Sequence, residues 1–215
     1  MRLNRRNFSA RLACAGAALA FAGETLAQGG PVEGTHYVRL SQPLPTTTPG
    51  KIEVIEFFWY GCPHCSAFEP MLEGWIKRLA GDVSFRRVPV AFRDEPFVIH
   101  QKIFYALEAL GQLDALHRKV FAAIHNERQR LDKMSDVAAW MTKNGVDGAK
   151  FTELANSFSV QAKLRQAKQL ADGYKIDGVP AIGVNGRFYT SGSLAGSNDR
   201  ALAVANFLIE RVRKS

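Results

Sequence analysis

Residues Ile52 to Tyr60 read IEVIEFFWY, and the chain passes at once into Gly61-Cys62-Pro63-His64-Cys65. A run of β-branched and aromatic residues after Pro49-Gly50 is too short for a typical helix and reads as a buried central strand. Pro63 suits the first position of a helix, where a missing N–H costs nothing, with Cys62 before it as the cap. Phe68, Leu72, Trp75, Ile76 and Leu79 then recur at helical spacing, so the helix is expected to reach about Ala80 and to end at Gly81-Asp82. Val83 to Val90 reads as a second strand. A strand, a helix and a strand in this order predict a parallel pair joined by a crossover.

Beyond Glu95 the pattern changes. Helical periodicity holds as far as Lys175, with helices expected over 96–110, 113–127, 135–144, 148–157 and 160–173 and breaks at Gly111, near Leu131-Asp132 and at Gly145. Five helices with no strand signal among them suggest an inserted all-α unit. Strand character returns in Pro180 to Val184 and Arg187 to Thr190, on either side of Asn185-Gly186, a strong two-residue hairpin turn. A final helix is expected from about Asn198 to Arg213, with Leu202, Ala205, Phe207, Leu208 and Val212 on its apolar side. The fold class is therefore α/β. The 47% hydrophobic and 22% charged content excludes a disordered or fibrous chain.

The first 27 residues stand apart. Arg2, Arg5, Arg6 and Arg11 precede an apolar, Ala-rich run from Leu12 to Ala22, and Thr25-Leu26-Ala27 offers a small-x-small cleavage site. That is the layout of an export signal, too weakly apolar for a membrane anchor. Arg5-Arg6-Asn7-Phe8 partly resembles a twin-arginine signal, while Asn4, Ser9 and Ala10 depart from it, so the export route stays open. Removing the segment takes away four Arg and one Glu and lowers the net charge from +8 to +5. The remaining excess has no Lys/Arg cluster interleaved with aromatics, which argues against nucleic acid as a partner and for a solvated surface.

Cleavage also removes Cys14 and leaves Cys62 and Cys65 alone in an exported chain, where disulfide chemistry is favoured. A structural disulfide stabilises by closing a long loop, and a four-residue loop staples almost nothing. The pair reads as reactive.

On these residues the chain resembles the thioredoxin superfamily and, within it, the periplasmic DsbA family of disulfide oxidants. Cys62-Pro63-His64-Cys65 matches that family's active-site tetrapeptide, Gly178-Val179-Pro180-Ala181 its cis-proline loop, and Glu56 its buried acid. The order of elements matches over residues 34–213. The resemblance implies a thioredoxin-like fold over 28–93 and 174–215, with a helical domain inserted at 94–173. It implies a Cys62–Cys65 redox disulfide, an active Pro63 and His64, and a cis Pro180 that holds Val179 where an extended substrate can pair with it. Glu56 would handle protons near Cys65, or else line a wet gap as plain surface. No cofactor is called for. The implied partners are reduced, unfolded exported proteins and a membrane reoxidation partner of the DsbB type, with the chain itself a periplasmic monomer.

The chemistry has its own footing. Free N–H groups and the dipole at a helix N-terminus favour a thiolate at Cys62, and His64, if cationic, adds to this. The thiolate is both the nucleophile and the better leaving group. A lowered cysteine pKa is an established property of the DsbA family. Phe58, Trp59 and Tyr60 read as core and rim, and His36, His100, His117 and His125, far from the motif in sequence, as structural or surface residues. Two other readings stay open. One is an isomerase or reductase of the DsbC or DsbG kind, although only about 25 residues lie between the signal and the first core strand. The other is a metal-binding or holdase module, for which Cys62, Cys65 and His64 fall short of the four ligands of structural zinc.

Overall fold

A computed structural model describes residues 29–215; the expected export signal and Cys14 lie outside them. Among the described residues one sheet contains β1 (Val38–Arg39), β2 (Ile52–Phe58), β3 (Val83–Pro89), β4 (Ala181–Val184) and β5 (Phe188–Ser191), in the order β1-β5-β4-β2-β3. The helices are α1 (Pro63–Ile76), α2 (Phe97–Ala109), α3 (Leu113–His125), α4 (Met134–Lys143), α5 (Gly148–Ala155), α6 (Phe158–Tyr174), α7 (Gly192–Ala195) and α8 (Asn198–Arg213).

All of β2 is buried because it has a strand on each side and helices over each face. It runs parallel to β3, from Ile52 opposite Val83 to Phe58 opposite Pro89, and antiparallel to β4. The two-residue period of the strand divides its side chains between two cores. Ile52 and Val54 join Phe68, Leu72 and Trp75 of α1 and Ala205 and Leu208 of α8. Ile55 and Phe57 join Ile103 and Phe104 of α2 and Tyr174 of α6.

Helices α2 to α6 all fall between β3 and β4 with no strand among them. Their last residue, Tyr174, ties them to the sheet. Its ring meets Phe57 edge-on at 5.1 Å, and its hydroxyl accepts a hydrogen bond from the Gly186 N–H at 2.8 Å.

Several boundaries differ from expectation. Helix α1 stops at Ile76, because the N–H groups of Arg78 and Leu79 bond to carbonyls three residues back and tighten the chain into a turn. Helix α6 begins at Phe158, earlier than its apolar pattern shows, where the Ser157 side chain caps the Val160 N–H. The hairpin turn spans 185–187. Asn185 and Gly186 take the positive φ values expected of them (51° and 63°), Arg187 N–H closes the turn on the Val184 carbonyl, and the ladder starts at Phe188. The short β1 and α7 carry no periodicity that a sequence could reveal.

Candidate active site

The turn from β2 into α1 builds the centre. Cys62 is the N-cap of α1 in extended conformation, with Pro63 at the first helical position. Its sulfur accepts from the Cys65 N–H at 3.4 Å and lies 3.5 Å from the Val179 carbonyl, toward which the thiol donates. The Val179–Pro180 bond is cis, as is Glu95–Pro96, which nothing in the sequence singled out. Residues 117 apart in the chain thus meet at one sulfur.

Both cysteines are free thiols. The Cys62 pKa falls from 9.0 to about 6. The largest cause is a hydrogen bond from the Cys65 thiol; burial opposes it, and the backbone N–H groups of Cys65 and His64 add to the lowering, followed by the His64 charge. Burial pushes the Cys65 thiol well up, and the neighbouring Cys62 and Glu56 charges add to that. Cys62 is only 7% exposed, against 0% for Cys65, so the contrast between them is one of a small exposed area against none. His64 is exposed and lines a groove with Val179, Pro180, Tyr189, Leu194 and Asn198.

Glu56 is not plain surface. It is fully buried, and its Oε2 accepts from Arg87 Nε at 3.0 Å. Arg87 also grips Glu69 of α1, with Nε donating at 3.2 Å and Nη2 at 2.8 Å. Burial raises Glu56 well above the usual carboxyl range, and the Glu69 charge adds to it. Burial would raise Glu69 too, but hydrogen bonds from His117 and Arg87, with the Arg87 charge, outweigh it and hold that carboxyl low. His117 Nε2 lies 3.1 Å from Glu69 Oε1, and its Nδ1 lies 2.7 Å from the Tyr60 hydroxyl.

Sequence reasoning did not single out Glu69 or Arg87, and it placed His117 and His125 away from the centre. His125 Nε2 donates to the Tyr60 carbonyl at 2.8 Å and lines a cleft beside Pro63, Ser66 and Glu69. A signal for Glu69 existed, since it sits one turn beyond Cys65 on the apolar face of α1. Arg87 gave no such sign, because its place opposite Glu56 follows from strand register. Phe58 and Tyr60 are buried core, and Trp59 stacks on Phe97 at 4.1 Å. His100 is buried and His36 bonds locally to the Val32 N–H, both as expected. Among the described residues no group of three or more His, Cys, Asp or Glu is arranged to hold a metal.

A cysteine of lowered pKa capping the first helix of a β–α–β unit, with the Val179 carbonyl of a cis-prolyl bond against its sulfur, defines a thioredoxin-fold thiol:disulfide oxidoreductase. The comparisons with known proteins are narrower. Residues 53–202 match the DSBA-like thioredoxin domain, and the chain belongs to that family. It is 47% identical to the thiol:disulfide interchange protein DsbA of Bordetella pertussis, over 94% of each chain. The crystal structure of Pseudomonas aeruginosa DsbA superimposes with a TM-score of 0.82 at 41% identity, covering 86% of this chain and 95% of that one. The Xylella fastidiosa oxidoreductase DsbA superimposes with a TM-score of 0.80 at 30% identity, covering 86% and 99%.

Proposed function

We propose that this chain is a periplasmic thiol:disulfide oxidase that donates a Cys62–Cys65 disulfide to newly exported proteins. The observation that carries this reading is the Cys62 sulfur, held near pKa 6 by donors from Cys65 and His64. A substrate thiolate attacks Cys62, the sulfur–sulfur bond breaks, and Cys65 leaves with the electron pair and is protonated. The substrate's second thiolate then attacks the mixed disulfide, and Cys62 departs as a thiolate. The substrate gains a disulfide and the chain ends as a dithiol, two electrons richer. His64 and Pro63 shape the helix terminus that stabilises the departing thiolate. Val179, with its carbonyl turned to Cys62, pairs with an extended substrate, and Pro180 presents it. Glu56 supplies the proton that Cys65 takes up.

A membrane partner of the DsbB type would withdraw the two electrons and restore the disulfide, and the chain would act as a monomer. No helix among the described residues is long and apolar enough to cross a membrane. The unit formed by 28–93 and 174–215 would carry the chemistry, with the insertion at 94–173 walling one side of it.

A thiol one unit below pH 7 stabilises the reduced state by ~1.4 kcal/mol, or ~30 mV for a two-electron couple. Equilibrium titration of the couple against glutathione is expected to give a potential above the roughly −270 mV of thioredoxin. A value at or below that figure would make the chain a reductase.

A further inference from the structure

Three elements contribute to the polar cluster behind the cysteines. Among the described residues Arg87 of β3 is the single guanidinium between two carboxylates, Glu56 of β2 and Glu69 of α1, and all three are largely or fully buried. Burying one excess negative charge is costly, so the pair of acids retains one proton. Which acid keeps it decides whether a proton stands ready beside Cys65. The groups facing Glu56 are Glu69, Cys62 and Cys65 from α1, Arg87 from β3 and Tyr60 from the turn between β2 and α1. Those facing His117 are Glu69 and Glu73 from α1, Arg87 and Tyr60.

His117, on α3 of the insertion, breaks the symmetry between the acids. Glu69 takes Nη2 and shares Nε of Arg87 and is ionised, so it can only accept, and His117 Nε2 must carry hydrogen and donate to it. Nδ1 is then the acceptor for the Tyr60 hydroxyl at 2.7 Å. Burial keeps the ring neutral. Glu69 therefore has two donors of its own, Arg87 Nη2 and His117 Nε2, and shares the single Arg87 Nε hydrogen with Glu56. Glu56 has only that shared donor, and its Oε1 is buried with no partner among the described residues.

We infer that His117 is a positioning residue: by donating to Glu69 it keeps that carboxylate ionised on Arg87 and leaves the shared proton on Glu56, the acid that serves Cys65. The inference rests on the oxidase reading and assigns the helical insertion a part in the chemistry. As Cys65 leaves as a thiolate, the Glu56 proton moves to its sulfur, and the resulting carboxylate stays paired with Arg87.

The test is a carboxyl carbon-13 titration of the reduced protein by NMR, with the Glu56 signal assigned by its loss in Glu56→Gln. In the unsubstituted chain Glu56 should titrate well above the ordinary glutamate value. His117→Leu should lower the Glu56 midpoint by about one pH unit or more, with the Glu69 midpoint rising as the proton transfers. His117→Gln, whose amide still donates to Glu69, should restore the original midpoint. An unmoved Glu56 in His117→Leu, or a Gln variant behaving as Leu does, would overturn the inference. If His117→Leu does not fold, nitrogen-15 spectra of the unsubstituted chain decide: a ring protonated at Nδ1 near pH 7 refutes it and hydrogen on Nε2 alone supports it. Failure of the unsubstituted chain to oxidise a dithiol peptide would sink the oxidase reading and leave these titrations standing.

Discussion

The sulfur of Cys62 is stabilised chiefly by hydrogen-bond donors, and the charge of His64 ranks behind them. Sequence reasoning placed the helix-terminal N–H groups first with His64 adding to them, and the largest donor proves to be the Cys65 thiol. Removing the largest donor should therefore matter more than removing the imidazole. Cys65→Ala is expected to raise the Cys62 pKa by about one to two units, the size of a hydrogen bond to a charged group. His64→Ser keeps its backbone N–H and should raise it by less than about one unit, with the potential falling ~30 mV for each unit that lay below ambient pH. Thiolate absorbance titrations of both variants check the ranking, and a larger shift in His64→Ser would restore charge as the main cause. Glu56 makes a separate prediction. Its folded pKa is raised, so its contribution to stability is fully present below the unfolded value near 4.5 and is lost as pH rises through the folded value. Glu56→Gln carries no such loss. Its melting temperature should gain on the parent as pH rises from 4 to 8, and a constant difference would mean that the folded pKa of Glu56 is not raised.

At the scale of elements, the sequence disclosed whatever periodicity and punctuation could encode. The strand at 52–58, the Cys62 cap, the run of helices before β4 and the hairpin turn all follow from side-chain pattern and from Pro, Gly and Asn. What stayed hidden depended on distant partners: β1 exists through pairing with β5, and the end of α1 is set by three-residue backbone bonds after Ile76. Gly183 is a further case, a glycine in a strand with no local reason to be there. A Cβ at that position would stand 2.7 Å from Tyr174 Cε1 and 3.1 Å from Phe57 Cε2, where α6 closes on the sheet. Both neighbours are buried rings with little room to give, so Gly183→Ala should cost about 1–3 kcal/mol in denaturant unfolding. An effect within a few tenths of zero would show that α6 docks loosely. The N-terminus of α1 makes the other element-scale prediction. The folded Cys62 pKa is depressed, so the stability it lends the reduced form is full above the unfolded value of 9.0 and is lost as pH falls through about 6. At pH 7 it amounts to ~1.4 kcal/mol, while the four-residue disulfide loop of the oxidised form returns little entropy. The reduced form should therefore melt above the oxidised form, by a margin that widens from pH 6 to pH 8. An oxidised form that melts higher at pH 7 would contradict this.

For the molecule as a whole, the site is a meeting of segments that are remote in the chain. The Cys62 thiol comes from the β2–α1 turn, the Val179 carbonyl from the approach to β4, Arg87 from β3, and His117 and His125 from α3. The motif residues were legible because cysteine pairs and X-Pro loops stand out in any sequence. The polar cluster was not, because a Glu or His on an amphipathic helix looks ordinary until the facing strand is known. The assembled site also explains why two similar thiols should behave differently toward a partner. Cys62 lies against Val179, which lines a groove with His64 and Pro180, keeps a small exposed area and has the lowered pKa, while Cys65 has no exposed surface and a raised one. A partner can reach the first sulfur and not the second. Cys65→Ser should then accumulate mixed disulfides with exported proteins through Cys62, since the internal thiol that would otherwise displace the partner is gone. Cys62→Ser should accumulate few, although a cysteine remains. Non-reducing gels of the two variants expressed at equal levels compare them directly. Equal trapping would mean that α1 loosens enough to expose Cys65, and access would then cease to explain the division of labour between the two sulfurs.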